Sequence, residues 1–197
     1  MRILVVAALF ACGATAALLF LGAAAAAAQS FEERVATCLA CHGDKGQSQT
    51  PETPSLGAQP ASYLLTQLYL FREKIRPVEI MNEQAKGLSD DDLRRYSDHM
   101  AKLAAPAPPA DAPDAATIER GKALVSQHHC NSCHAPGLAG QDQVPRLASQ
   151  REDYLVKSLR DYKSGARPGY DPAMASVVAE LKEDDFATLA YYIARVK

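Results

Sequence analysis

Cys130-Asn131-Ser132-Cys133-His134 decides how the chain is read, because it is the second of two such stretches. The first is Cys38-Leu39-Ala40-Cys41-His42. C-x-x-C-H is a haem-attachment pattern: two thiols form thioethers with the haem vinyl groups, and the adjoining imidazole reaches the iron. Four of the five cysteines sit in these motifs, and the fifth, Cys12, lies in an apolar N-terminal run. No thiol is left for a structural disulfide, although export would permit one. Two C-x-x-C pairs also supply the four thiolates of a zinc site, but zinc gives no reason for a His directly after each pair.

Outward from the motifs the chain repeats itself. The first half carries Pro54-Ser55-Leu56, Gln59, Tyr63-Leu64, Phe71, Arg76-Pro77, Met81, Leu88 and Asp90-Asp91-Asp92-Leu93. The second carries Pro145-Arg146-Leu147, Gln150, Tyr154-Leu155, Tyr162, Arg167-Pro168, Met174, Leu181 and Glu183-Asp184-Asp185-Phe186. The offset is 92 at the cysteines, 91 from Pro54 to Pro77 and 93 from Met81 onward. One domain has been duplicated, with small loop insertions.

Each half reads as all-α. Phe31 to Cys38 forms a short amphipathic lead into the first motif, and Thr117 to His128 a longer one into the second. Tyr63, Leu64, Gln67, Leu68 and Phe71 recur at helical spacing, as do Tyr154, Leu155, Leu159 and Tyr162. A last helix starts at Ser89, where Ser89-x-x-Asp92 is a capping signal, and runs through Leu93, Tyr96, Met100 and Leu103. Its counterpart starts near Lys182 with a weaker cap and continues through Phe186, Leu189, Ile193 and Val196. Acidic residues crowd both first turns, where the helix dipole favours them.

Between the halves, residues 104–114 hold four prolines, which exclude helix and favour a semi-extended spacer. The expected organisation is an export signal over 1–28, a first domain over 29–103, a linker over 104–116 and a second domain over 117–197. Ile3 to Ala28 carries no charge, and small residues precede Gln29, with Ala26-Ala27-Ala28 as the cleavage site. An uncleaved anchor is the alternative, since about 20 apolar residues span a bilayer. Cys12 belongs to this segment. The net charge of −2 leaves no basic stripe for nucleic acid.

The motifs present His42 and His134 as proximal iron ligands. Met174 is the one methionine of the second half, 40 residues after His134. The first half offers Met81 and Met100; the repeat selects Met81, 39 residues after His42, and Met100 falls on an apolar helix stripe. Met–His ligation favours Fe(II) relative to bis-His. His128 and His129 adjoin Cys130 on the proximal side, and His99 is expected to be exposed. Pro54 and Pro145 follow the proximal histidines by 12 and 11 residues. Either their carbonyls orient the imidazoles or they are ordinary loop prolines.

Taken together, the two C-x-x-C-H motifs, the P-x-L-x-x-Q segments, Tyr-Leu before the middle helix, Arg-Pro ahead of the methionine and the acidic start of the last helix resemble a known family. It is that of the periplasmic di-haem cytochromes of the c4 type, two class I cytochrome c domains in tandem. The resemblance implies two covalently bound haem c groups, with Met81 and Met174 as sixth ligands and with Pro54 and Pro145 supporting the proximal imidazoles. The family's usual L-A-G-Q appears as Leu56-Gly57-Ala58-Gln59 and Leu147-Ala148-Ser149-Gln150. Ser158 stands where the first half keeps Gln67, and the linker is unusually rich in Pro and Ala. These departures bear on how closely the domains pack.

The resemblance implies a periplasmic electron carrier rather than an enzyme, moving single electrons from a quinol-oxidising complex or dehydrogenase to a terminal oxidase or other acceptor. Membrane association would then be loose, unless the signal stays as an anchor. One rival is the electron-transfer subunit of a larger sulfide- or alcohol-oxidising dehydrogenase. Another is a di-haem peroxidase, which needs an iron able to open its sixth site. A gas sensor would need a signalling domain.

Overall fold

The computed structural model describes residues 29–168 and 172–197. The expected signal over 1–28, with its cleavage site and Cys12, lies outside the described residues, as do Gly169, Tyr170 and Asp171. Among the described residues there are helices and no strands. None of these helices is long and apolar enough to cross a membrane.

In the first half, α1 (Phe31–His42), α2 (Ala61–Arg72), α3 (Glu79–Ala85) and α4 (Asp90–Ala101) follow in order. The second half has α5 (Ala115–Gln127), α6 (Cys130–His134), a 3-10 turn at Pro136–Leu138, α7 (Glu152–Ser164), α8 (Pro172–Glu180) and α9 (Glu183–Arg195). Local chemistry sets the starts. Ser30 and Glu33 close a capping box on α1, and Ser89 and Asp92 one on α4. The Asp114 carboxylate accepts from the Thr117 N–H at 2.8 Å and starts α5 at Ala115. Ala115 and Ala116, expected at the end of the linker, are therefore helical. α9 has no side-chain cap; Glu183, Asp184 and Asp185 fill its first turn instead.

The halves differ in one respect that matters for packing. In the second, α5 crosses α9 so closely at Gly121 that an added Cβ would lie 2.3 Å from the Tyr192 Cβ. The repeat places Gln29 opposite Gly121, and α1 begins only at Phe31, so the first half lacks that crossing. It uses aromatic contacts instead: Phe31 stacks on Tyr96 with ring centres 5.3 Å apart, and Arg95 lies over the Phe31 ring at 4.4 Å. His99, expected to be exposed, is half-buried with its ring edge-on to Phe31. Separate apolar clusters fill the halves, one around Val35, Leu64, Tyr96 and Met100, the other around Leu138, Val178, Phe186 and Ile193.

Candidate functional site

α1 runs through the first C-x-x-C-H and ends on it, about one turn beyond the expected limit at Cys38. Cys41 is exposed, Cys38 half-buried and His42 buried, at 6% exposure. Gly43 then turns the chain, and a folded loop brings it back. Leu56 and Gly57 N–H groups both donate to the Gly46 carbonyl, and Ser48 donates to the Cys41 carbonyl at 2.8 Å. This return carries Pro54 to the histidine: the His42 Nδ1 lies 2.8 Å from the Pro54 carbonyl.

The second half reaches the same arrangement by a different local path. His129, at φ 52°, separates α5 from α6. His134 is again 6% exposed, and its Nδ1 lies 2.8 Å from the Pro145 carbonyl. Here Leu147 and Ala148 N–H groups donate to the Leu138 carbonyl. Burial pushes both imidazole pKa values down, and the prolyl carbonyls partly offset it. Burial likewise pushes the Cys38 and Cys130 thiols up.

Met81 sits half-buried on α3 and Met174 half-buried on α8, against the second apolar cluster. Met100 is 4% exposed within the first core cluster. His129 is exposed, and His128 is half-buried beside Cys130. Neither short helix was expected from sequence, and each is pinned by groups that periodicity does not show. Asn82 donates to the Phe71 and Arg76 carbonyls at 2.8 and 2.9 Å and accepts from Val78, which fixes α3 against α2. Lys163 donates to the Ala179 and Leu181 carbonyls at the end of α8; its repeat partner Arg72 donates to Leu88, the partner of Leu181.

The halves meet through a pseudo-two-fold set of hydrogen bonds that sequence reading missed. Gln150 accepts from the Ser55 N–H at 2.8 Å and donates to the Ser55 carbonyl at 2.9 Å. Gln59 accepts from the Arg146 N–H at 3.0 Å and donates to the Arg146 carbonyl at 2.8 Å. Gln59 and Gln150 share one place in the repeat, as do Ser55 and Arg146. Arg76 donates to the Tyr154 hydroxyl (3.3 Å) and Arg167 to the Tyr63 hydroxyl (3.2 Å), again as repeat partners. The repeated glutamine was visible in P-x-L-x-x-Q; its partner, 87 or 95 residues away, was not.

Both arginines are 9% exposed, and neither has a carboxylate partner among the described residues. Arg76 also bonds Gln67 Oε1 at 2.7 Å, a partner the second half lacks because Ser158 stands in the matching place. Burial alone would push the Tyr154 phenol up; Arg76 and Arg167 outweigh it and bring it to about 7. Among the described residues no disulfide joins the four cysteines, and no three His, Cys, Asp or Glu side chains converge as a metal site. The zinc alternative therefore has no ligand set behind it.

A family model described as Cytochrome c matches residues 118–197, the half with the full-length first helix. Cytochrome c4 from Pseudomonas aeruginosa is 32% identical over 178 residues, covering 86% of this chain and 89% of its own. A Thiomonas intermedia protein named thiosulfate dehydrogenase electron acceptor is 31% identical over 186 residues, covering 90% of this chain and 85% of its own. The crystal structure of reduced recombinant cytochrome c4 from Pseudomonas stutzeri superposes with a TM-score of 0.76 at 30% identity, covering 86% of this chain and 100% of that one. Two like halves, each folded around a C-x-x-C-H motif, and relatives that match along most of their length lead to one conclusion: the chain belongs to the cytochrome c4 family, di-haem electron-transfer proteins built of two cytochrome c domains.

Proposed function

We propose that His42 and Met81 ligate one haem iron and His134 and Met174 the other. Cys38 and Cys41 would tether the first haem and Cys130 and Cys133 the second, in domains spanning 29–103 and 117–197. One observation carries this reading: in each half a buried imidazole directs Nδ1 at a prolyl carbonyl. A carbonyl has no proton to give, so Nδ1 holds it and Nε2 keeps the lone pair a metal needs. The residues also fit the group in charge. Arg76 and Arg167 are buried cations without carboxylate partners among the described residues, and haem brings carboxylates.

The haem iron supplies a one-electron couple. The chain's own residues set its properties. The Pro54 and Pro145 carbonyls fix ring orientation and make each imidazole a better donor. Met81 and Met174 offer soft, neutral thioethers that favour the reduced state. Side chains held on helices, His42 with Met81 and His134 with Met174, would hold each iron, which suits transfer between proteins rather than catalysis. The carrier would act in the periplasm after export through residues 1–28, between a quinol-oxidising complex or dehydrogenase and an oxidase or other acceptor. Such encounters use small, transient interfaces.

Visible spectroscopy with a stepwise redox titration of the mature protein tests the ligands. Two low-spin haems per chain, each with the far-red sulfur-to-Fe(III) band, are expected. Met81→Ala should remove half of that band, and Met100→Ala should leave it intact. A high-spin haem at rest would overturn the carrier reading. The Thiomonas relative favours a second reading, in which the electron donor is a thiosulfate-oxidising dehydrogenase. Rapid reduction of the holoprotein by such an enzyme, measured by stopped flow, would select it.

A further inference from the structure

We infer that each glutamine at the interface tunes the iron ligand of the opposite domain, Gln150 acting on His42 and Gln59 on His134. The inference rests on the histidine ligation proposed above. Its basis is covalent. The carbonyl of Pro54, which accepts from His42, and the N–H of Ser55, which donates to Gln150 Oε1, are two ends of one peptide group. The Pro145 carbonyl and the Arg146 N–H stand in the same relation to His134 and Gln59.

In a planar trans peptide the C=O and N–H point in opposite directions. A bond donated at one end therefore polarises the group and strengthens acceptance at the other. Gln150 thus draws density toward the Pro54 oxygen, which pulls harder on the His42 Nδ1 proton. The imidazole becomes a better donor at Nε2 and favours Fe(III). Ser55 is 2% exposed and Gln150 4%, so little water competes. The second bond of each glutamine, from its Nε2 to the neighbouring carbonyl, holds the amide in place. A glutamine that served only to clamp the domains would have no reason to affect one haem more than the other.

The experiment uses full-length holoprotein, with haem-methyl NMR resonances assigning each step of a redox titration to a domain. Gln150→Leu should raise the potential of the first-domain haem and shift its Fe(III)/Fe(II) ratio by about threefold. That is less than the roughly tenfold or greater effects of direct partners of a metal ligand. The second-domain haem should move less, and Gln59→Leu should give the mirror result. Gln150→Glu keeps an acceptor for Ser55 and should not raise the first haem relative to the second, which tests the role without apolar replacement. Equal shifts of both haems in either Leu variant, or none, would overturn trans tuning while leaving the ligands intact. A wild type whose haem spectra show no histidine ligand would overturn the histidine assignment and this inference with it, whereas loss of the methionine signature alone would overturn only the sixth ligands.

Discussion

Ala135 follows its C-x-x-C-H histidine with φ 64° and ψ 165°, a region in which glycine is at ease and a side chain is strained. The first half places Gly43 there, at φ 85° and ψ 141°. A Cβ on Gly43 would lie 2.0 Å from the Gln47 carbonyl oxygen, so the first loop admits only glycine, whereas the second accepts alanine at a cost in strain. Ala135→Gly is expected to stabilise the second domain by about 1 kcal/mol, the strain relieved less the entropy glycine adds to the unfolded chain. Gly43→Ala should destabilise the first by more than about 2 kcal/mol. Denaturant titration followed in each haem's absorbance separates the two. At this scale the motif letters were plain in the sequence, and the fold adds what they do not spell, a prolyl carbonyl at each histidine Nδ1. The arginines were not: Arg76 and Arg167 read as repeat letters, and only the fold shows them as buried cations bonded to tyrosines of the opposite half.

Helix α4 was legible to its first residue because its cap is local. Ser89 accepts from the Asp92 N–H at 3.1 Å, and Asp92 accepts in turn from the Ser89 N–H at 3.1 Å. Ser89→Ala should therefore cost about 1 kcal/mol, read as a lower thermal midpoint. The same caps set the response to acid. The Ser89 hydroxyl holds Asp92 below the usual carboxylate range, Arg72 does so for Asp90, and the Ser30 and Thr117 groups do so for Glu33 and Asp114. These folded-state values are depressed, so their stabilisation is complete above about pH 5 and is lost as pH falls through the lowered values. Acid unfolding should begin at a higher pH in Ser89→Ala than in wild type, as followed by circular dichroism. The short helices escaped for a physical reason. Seven residues of α3 span about two turns, too few to show a period, and their order comes from Asn82, Arg72 and other contacts distant in sequence. α1 outran its expected end because the haem motif is itself helical and completes the final turn.

At the scale of the whole molecule, the contact between halves is polar, and includes two glutamine amides, two arginine–tyrosine pairs, Arg151 donating to the Ser48 carbonyl at 3.1 Å and the Glu52 N–H donating to the Asp153 carboxylate at 3.0 Å. Duplication was plain in the sequence, whereas this contact was not, since nothing in a period of about 92 says which faces of two like domains will meet. Because the amide bonds join neutral groups, salt should weaken the contact little. Small-angle scattering of the holoprotein should give the same radius of gyration at about 0.05 M and about 1 M salt, although the screening length falls several-fold over that range. Expansion at high salt would mean that ion pairs hold the halves together.

The proline-rich connection is tied at several points. Gln47 exchanges two hydrogen bonds with Ala107, Asp111 pairs with Arg195 at 2.7 Å, and the Asp114 N–H donates to the Tyr191 hydroxyl at 2.8 Å. A short tether of this kind holds each domain at an effective concentration in the millimolar range as seen by the other. The dissociation constant between two free halves can then be far weaker than micromolar without their parting in the intact chain. Cut the connection within 104–114, and at micromolar protein the halves should drift apart, each keeping its haem and losing its neighbour's glutamine.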